Sequence, residues 1–507
     1  MDQNNNKMYS DEKTISYFNY INRYPQNFSG LSASLIIIDR DRIIKTISLE
    51  GDLEGDNVTI GKSGDIKIAS AIITHIHGRF IKKDGDYYYI DEGSTNGSEL
   101  NGKQIRKSVG VRSAPVCLGD GDIIRVMVPD EPSNIENVLI IFSRQPVADN
   151  WKYIDLVKQP PYFDIGRSVQ GTGLRIDSVQ ASRLHARIIR TPQGYCISDE
   201  NSLNGVTVNG SRIVSFYLLN DFDVICIANM KIIFLRNSLI FNSASSGVRL
   251  EVRDISKVVR GLKKPILNHI SLTINPGELV AVIGGSGAGK TTFINCLNGY
   301  EPATSGNVLI DGTDLIQNYK NLKSKIGNVP QSDELYDYLT IYDFLSFTAK
   351  LRLPSDISKN ERHERVNTVL DIMGLKEHQK KLIKKLSGGQ KKRVSIAMEL
   401  VSDPDIFFLD EPTSGLDPET ETQLMKQLKR LSSDYNKTIV VITHTLQNIH
   451  LFDRIIFLAS GGRLCFYGSP VNALRFFEIQ SISDAYEKVE KNADYFIDKY
   501  RNYYRGE

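Results

Sequence analysis

Short apolar runs between polar turns fill residues 31–238: ASLIII, YYYI, CIS, VIC and KIIFL are separated by Gly, Asn and Asp. Alternation at that length predicts β-strands throughout this region. At Val248 the period changes. Strand-like LEVRDI and HISLTI lead into the apolar run Leu279–Ile283, after which strand and helix patterns alternate to about residue 478. Such alternation predicts an α/β core. Within it, a more helical stretch runs from Gln331 to about Lys385. The Ser- and Asn-rich LIFNSASSG predicts a linker over 239–247, and the polar residues 1–30 a disordered leader. A Tyr-rich tail, expected to lead towards a membrane domain, occupies 479–507.

The β region repeats itself. IGKSGDIKIASAIITHIHGRF followed by YYYIDEGSTNGSELNGKQI has a counterpart in IGRSVQGTGLRIDSVQASRLHARII followed by YCISDENSLNGVTVNGSRI. Each copy sets a Gly-basic pair about forty residues ahead of an Asn-Gly, with a polar-x-x-His between. Two copies of one module are therefore expected, over 31–145 and 150–238. The Asn-Gly steps are hairpin chemistry, supplying positive φ.

Composition adds limits. A chain of 507 residues has room for about three domains, with a core in each. With 62 basic and 60 acidic residues, the net charge of +2 gives no compositional sign of a nucleic-acid-binding surface. Five scattered cysteines (Cys117, Cys196, Cys226, Cys296, Cys465) form no C-x-x-C pair, which argues for a reducing compartment and against a disulfide framework or a zinc site. The N-terminus has no apolar segment of a signal peptide, and no apolar run approaches the length of a membrane span.

The most informative stretch is Gly284, Gly285, Ser286, Gly287, Ala288, Gly289, Lys290, Thr291 and Thr292, which fits the P-loop pattern at a strand-to-helix turn. Its glycines let successive N–H groups point inward, and the helix N-terminus adds its positive end, making a cradle for phosphate. Lys290 can reach the β- and γ-phosphates of ATP, and the Thr291 hydroxyl can ligate Mg²⁺. Downstream, Gln331 follows a strand. Ser387, Gly388, Gly389 and Gln390 open a helix, a second anion-binding terminus with no room for a bulky side chain. The apolar strand IFFL ends in Asp410 and Glu411, and TIVVIT ends beside His444.

P-loop, LSGGQ and LDEP in this order resemble the ATP-binding-cassette (ABC) ATPases over nearly all of residues 248–470. The resemblance implies a nucleotide-sandwich dimer, a homodimer on the simplest reading, in which the P-loop of one cassette and the LSGGQ of the other enclose each ATP. It implies that Thr291, Gln331 and, through water, Asp410 hold Mg²⁺, that Glu411 polarises the attacking water, and that His444 contacts the γ-phosphate. Asp417 would couple the two sites. Many cassettes stack adenine on an aromatic residue after the first strand; here Val258 and Val259 stand in that region. Further wording, including NVPQSDELYDYLTIYDFL and NADYFID, resembles half-transporters that export pigments, lipids or drugs, in particular microbial ones with forkhead-associated domains ahead of the cassette. That implies an ABC-2-type membrane domain, on a longer chain or a separate subunit, and a location at the cytoplasmic face of the membrane.

The repeated β module resembles the forkhead-associated (FHA) domain, a β-sandwich that binds phosphothreonine peptides through loops at one end. In the second copy Gly166, Arg167, Ser182, Arg183, His185, Asn204, Asn209 and Gly210 match, while Leu203 replaces the usual Thr. The implied phosphopeptide set is Arg167, Ser182, Arg183 and Asn204; a guanidinium forks onto a dianionic phosphate, and hydroxyl and amide complete the pocket. The first copy keeps Thr95 and Asn96 but has Lys62, Thr74 and His75 at the other positions. Lysine lacks the fork, so this copy is expected to be structural. His77 and His185 are expected to brace loops. The chain thus reads as two all-β FHA sandwiches followed by an α/β P-loop NTPase with a helical subdomain: an ATPase driving an exporter under phosphoprotein control. The alternative is a soluble phospho-dependent scaffold that uses ATP for dimerisation.

Overall fold

In the computed structural model, residues 33–39, 44–49, 57–83, 86–105, 108–119, 121–128, 134, 136–143, 151–169, 171, 173–228, 230–235, 237–242, 248–259, 265–332 and 335–505 are described. The expected leader lies outside them.

Each copy of the repeat is a two-sheet sandwich. In the first, a six-stranded sheet runs in the order Ile44–Ser48, Ser34–Ile38, Val138–Ser143, Ile123–Val126, Glu99–Leu100, Lys103–Gln104. It faces a five-stranded sheet ordered Ile66–Lys67, Asn57–Gly61, Gly78–Lys83, Asp86–Asp91, Val116–Cys117. The second copy repeats this five-strand arrangement with Gly173–Arg175, Tyr162–Gly166, Ala186–Thr191, Gly194–Asp199 and Phe216–Leu218. Alternation is what makes a sandwich here. Ile188 and Ile197, for instance, pair on adjacent strands and both turn into the core, while the next pair along, Ile189 and Cys196, is left half-exposed.

The two sandwiches also bury an apolar face against each other: Ile36, Ile38, Ile123, Leu139 and Ile141 of the first form one cluster with Phe222, Ile233, Leu235 and Ile240 of the second. At its margin Arg125 Nη1 donates to Asn209 Oδ1 at 2.7 Å.

The cassette core is a six-stranded sheet ordered Ile326–Val329, Ile406–Asp410, Thr438–Ile442, Leu279–Gly284, Arg454–Ala459, Arg463–Gly468. All neighbours are parallel except the last pair. Continuous apolar runs such as Leu279–Ile283 are buried because helices cover both faces of such a sheet. Beside it lies an antiparallel sheet ordered Leu267–Ile274, Leu250–Lys257, Ser305–Ile310, Thr313–Asp314. The helical subdomain contains Ile341–Arg352 and Lys359–Ile372, each started by a side-chain cap, Thr340 or Ser358. The first sandwich is tied to the cassette by a buried pair: Arg249 Nη1 meets Asp122 Oδ2 at 2.5 Å, and Arg249 Nη2 donates to the Cys117 carbonyl at 2.6 Å.

Two segments differ from the sequence expectation. The linker was expected from 239, but Ser238–Asn242 is a strand paired with both Trp151–Asp155 and Met230–Leu235. Leu239, Ile240 and Phe241 explain it, since all three are buried; residues 243–247 lie outside the described set. The tail forms a helix, Ser483–Arg505, kinked at Asn492, that folds back on the cassette through Val489, Phe496, Ile497 and Tyr500. Phe476 and Phe477 receive it, with Phe477–Phe496 ring centroids 5.2 Å apart. Among the described residues, no helix is long and apolar enough to cross a membrane.

Candidate functional site

Three parallel strand ends converge above the cassette sheet. Leu279–Gly284 delivers the glycine loop, Ile406–Asp410 delivers the two carboxylates, and Thr438–Ile442 leads to His444. Gly284 has φ 150°, and a Cβ there would run into the Leu458 carbonyl of the neighbouring strand, so only glycine fits. The loop feeds the helix Lys290–Leu297. Lys290 is buried, and its Nζ donates to the carbonyls of Gly284 (2.9 Å) and Gly285 (3.1 Å). Burial pushes its ammonium pKa down, opposed by the charges of Glu411 and Asp410.

The sequence-predicted metal and catalytic residues form a linked set. Thr291 Oγ1 donates to Asp410 Oδ2 at 3.1 Å. Glu411 is held from two sides: Gln331 Nε2 donates to Oε2 at 3.0 Å, and His444 Nε2 lies 2.8 Å from Oε1. Burial raises the Asp410 carboxyl above its ordinary range, with the Thr291 hydroxyl bond pulling the other way. Glu411 itself adopts φ 45°, a left-handed conformation that is costly for a side-chain-bearing residue. The turn swings its carboxylate out of the strand line and toward Gln331 and His444. Val258 and Val259 are both exposed after Leu250–Lys257.

A second group lies apart from this set. Ser387 caps the helix Gly388–Leu400 in a capping box with Gln390, and a side chain on Gly389 would meet Thr420. Asp417 caps Pro418–Ser433, accepting from Thr420 N at 3.0 Å. Among the described residues, none of the hydrogen bonds that join the first set reaches Ser387, Gly388, Gly389, Gln390 or Asp417. Lys392, one turn into the helix, does donate to the Gln331 carbonyl at 2.6 Å, so the two groups communicate through one bond.

In the second sandwich, Arg167 Nε donates to the Ala181 carbonyl at 3.0 Å, the Ser182 hydroxyl accepts from Leu203 N at 3.2 Å, and Asn204 Nδ2 donates to the Gln180 carbonyl at 2.7 Å. These bonds gather the predicted loops at one end of the sandwich. Arg183 and Leu203 are exposed beside them. The remaining nitrogens of Arg167 meet Asp356 and Glu361 of the cassette, acidic partners that sequence reasoning missed. The corresponding Lys62 of the first sandwich donates instead to the Ala71 carbonyl at 2.8 Å, and Asn96 Nδ2 to the Ile72 carbonyl at 2.7 Å.

His185 braces the second site. Its Nδ1 accepts from Ser182 N at 3.0 Å and its Nε2 lies 3.0 Å from the Gly205 carbonyl, an arrangement only the neutral ring satisfies. Burial pushes its pKa below the ordinary value of 6.5. The unfolded chain therefore takes up a proton that the folded one resists, and this module loses stability as pH falls below about 6.5. Melting curves between pH 7.5 and 5 should show that decline, and a His185→Asn variant should flatten it. An equal slope in the variant would remove His185 as its source.

The FHA domain model matches residues 58–127 and 163–228, and the ABC transporter model matches residues 267–414. An ABC transporter ATP-binding/permease protein of Mycobacterium tuberculosis is 38% identical over 341 residues, covering 66% of this chain and 39% of the relative. A methionine import ATP-binding protein of Corynebacterium diphtheriae is 36% identical over 230 residues, covering 44% of this chain and 67% of the relative. The chain belongs to the ABC transporter ATP-binding family. It carries two FHA domains ahead of the ABC ATPase cassette. ABC transporter G family member 28 of Arabidopsis thaliana is 34% identical over 260 residues, half of this chain. This ABC chain spans 39% of the length of the mycobacterial relative and 23% of the plant one. A solved ABC subunit, cbiO1 of Clostridium perfringens, aligns with TM-score 0.42 at 29% identity, over 48% of this chain and 94% of that one.

Proposed function

We propose that this chain is the ATP-binding and ATP-hydrolysing part of an ABC exporter, and that its FHA modules bind phosphothreonine proteins that regulate or localise it. The observation that carries the reading is the suspension of Glu411 between Gln331 and His444, beside a phosphate cradle. A carboxylate so held can orient a water and accept its proton. His444 fixes the carboxylate and would contact the γ-phosphate. Lys290 exchanges its loop carbonyls for phosphate oxygens. Oxygen donors on Thr291 and Asp410, with the Gln331 amide, fit Mg²⁺, a hard ion that takes few protein ligands beside phosphates. When bound it would offset charge on the transferring phosphoryl group.

Because Ser387, Gly388, Gly389 and Asp417 stand apart from the P-loop set, they suit the phosphates of a second cassette, and we read the working unit as a dimer attached to a membrane domain. That attachment would hold the chain at the cytoplasmic face of the membrane. Turnover of Mg²⁺-ATP by the chain, alone and with a membrane fraction, tests the ATPase half of the proposal; no turnover in either would sink it. For the FHA half, Arg167→Ala should cost about 10-fold or more in affinity for a phosphothreonine peptide, the loss of charge-assisted bonds of about 1.5–3 kcal/mol each. An unchanged affinity would remove Arg167 from the pocket.

A further inference from the structure

Arg167 is only 7% exposed, and its two terminal nitrogens meet acids of the cassette. Its Nη2 lies 3.2 Å from Asp356 Oδ2, and its Nη1 contacts Glu361 Oε1. The same Asp356 oxygen accepts the backbone N–H of Arg183 at 3.0 Å. One guanidinium fork and one backbone N–H therefore converge on a pair of carboxylates, in the way they would converge on the oxygens of a phosphate. Both acids come from the helical subdomain: Asp356 from the loop between Ile341–Arg352 and Lys359–Ile372, Glu361 from the first turn of the second helix. Glu361 is fixed in place, since its other oxygen accepts from Ser358 N at 2.8 Å in the helix cap.

The contact continues onto the cassette core. Gln180 Nε2 donates to the Asp403 carbonyl at 2.7 Å, and Asp403 closes the turn after the helix that Ser387 begins. Its carboxylate is held by Arg365 at 3.1 Å and Lys437 at 3.0 Å. The loops of the second FHA module thus span two parts of the cassette, the helical subdomain and the turn leading into Ile406–Asp410. Beside the contact opens a cleft of about 990 Å³, lined by Arg167, Arg175, Arg183, Glu361 and Arg365 among others. A peptide can approach Arg167 from this cleft.

We propose that Asp356 and Glu361 are an internal ligand of the second FHA module: they fill its anion site as a phosphate substitute, docking the module on the cassette, so that docking and phosphothreonine binding exclude each other. The exclusion rests on the phosphopeptide reading above; the docking does not. Two carboxylates carry charge comparable to one phosphate but present their oxygens from two side chains, so a phosphothreonine that offers them from one centre competes for the same donors. Release of the module removes its bridge between the helical subdomain and the core, while the direct Arg365–Asp403 bond stays.

The test uses the full chain and the variant Asp356→Asn/Glu361→Gln, with amide hydrogen exchange at residues 178–185 and 354–362 and titration with a phosphothreonine peptide. Exchange at both segments should rise in the variant. Affinity for the peptide should rise about 10-fold, the unphosphorylated peptide should bind neither chain, and the peptide should release segment 354–362 in the wild type. Unchanged exchange at both segments in the variant would overturn the docking, and binding of the peptide by both chains with equal affinity would overturn the exclusion. A variant that shows released exchange yet binds no phosphothreonine peptide would leave the docking standing and refute the phosphopeptide reading instead.

Discussion

Glu411→Gln should lower steady-state Mg²⁺-ATP turnover by about 10²–10⁴-fold, the range for loss of a positioned general base, while ATP binding persists. Glutamine keeps the size of the side chain and can still pair with Gln331 and His444, so the left-handed turn at φ 45° and the neighbouring strand ends are retained. What is lost is the negative charge that would draw a proton from water. Since the P-loop and the Lys290 cradle lie outside the change, nucleotide still binds, and on the dimer reading proposed above the variant should accumulate as an ATP-held pair. Size-exclusion chromatography with light scattering, in ATP and in ADP, reads that state beside the turnover assay. Turnover within tenfold of wild type would move the catalytic role away from Glu411.

Lys290→Met should weaken ATP binding by about 10²-fold or more and leave the melting temperature of the nucleotide-free chain unchanged or higher. The two effects have separate causes. Charged hydrogen bonds contribute about 1.5–3 kcal/mol each, and loss of two contacts to phosphate amounts to about 10²-fold or more. Without nucleotide, however, the buried ammonium has the Gly284 and Gly285 carbonyls as its hydrogen-bond acceptors, and desolvation already pulls its pKa down. Methionine removes that desolvation penalty, which offsets the loss of the two bonds to the loop carbonyls. Calorimetry on the nucleotide-free variant and ATP titration of the same sample check both parts. A large fall in melting temperature would mean that Lys290 holds the loop together rather than awaiting phosphate.

The residues that meet nucleotide were legible in the sequence because their chemistry constrains neighbours along the chain. A glycine run between an apolar strand and a helix, or two carboxylates closing IFFL, has few other uses. The FHA repeat was legible for a similar reason, since Asn-Gly turns recur at fixed spacing. Contacts between distant segments leave no such trace. Asp356 and Glu361 sit in a charge-rich stretch that reads as an ordinary solvated face, and only the fold brings them 189 and 194 positions back to Arg167. The same holds for the tail. Tyr486, Phe496 and Tyr500 are spread among lysines and acids, and their packing on Phe457, Phe476 and Phe477 depends on a face that spacing alone does not single out. The strand Ser238–Asn242 was hidden by the polar residues that follow it. The positive φ at Glu411 is a backbone property, and a glutamate in sequence gives no sign of it.

The apolar seam joining the two FHA modules has a mechanical consequence. Sliding Ile36, Leu139 or Ile141 past Ile233 and Leu235 would open dry surface to water, so the pair resists hinging and turns as one stiff body. That body is held to the cassette at separate places, by Arg249 on Asp122 of the first module and by the Asp403 carbonyl on Gln180 of the second. A displacement at one of these attachments is therefore carried through the seam to the other rather than absorbed between the modules.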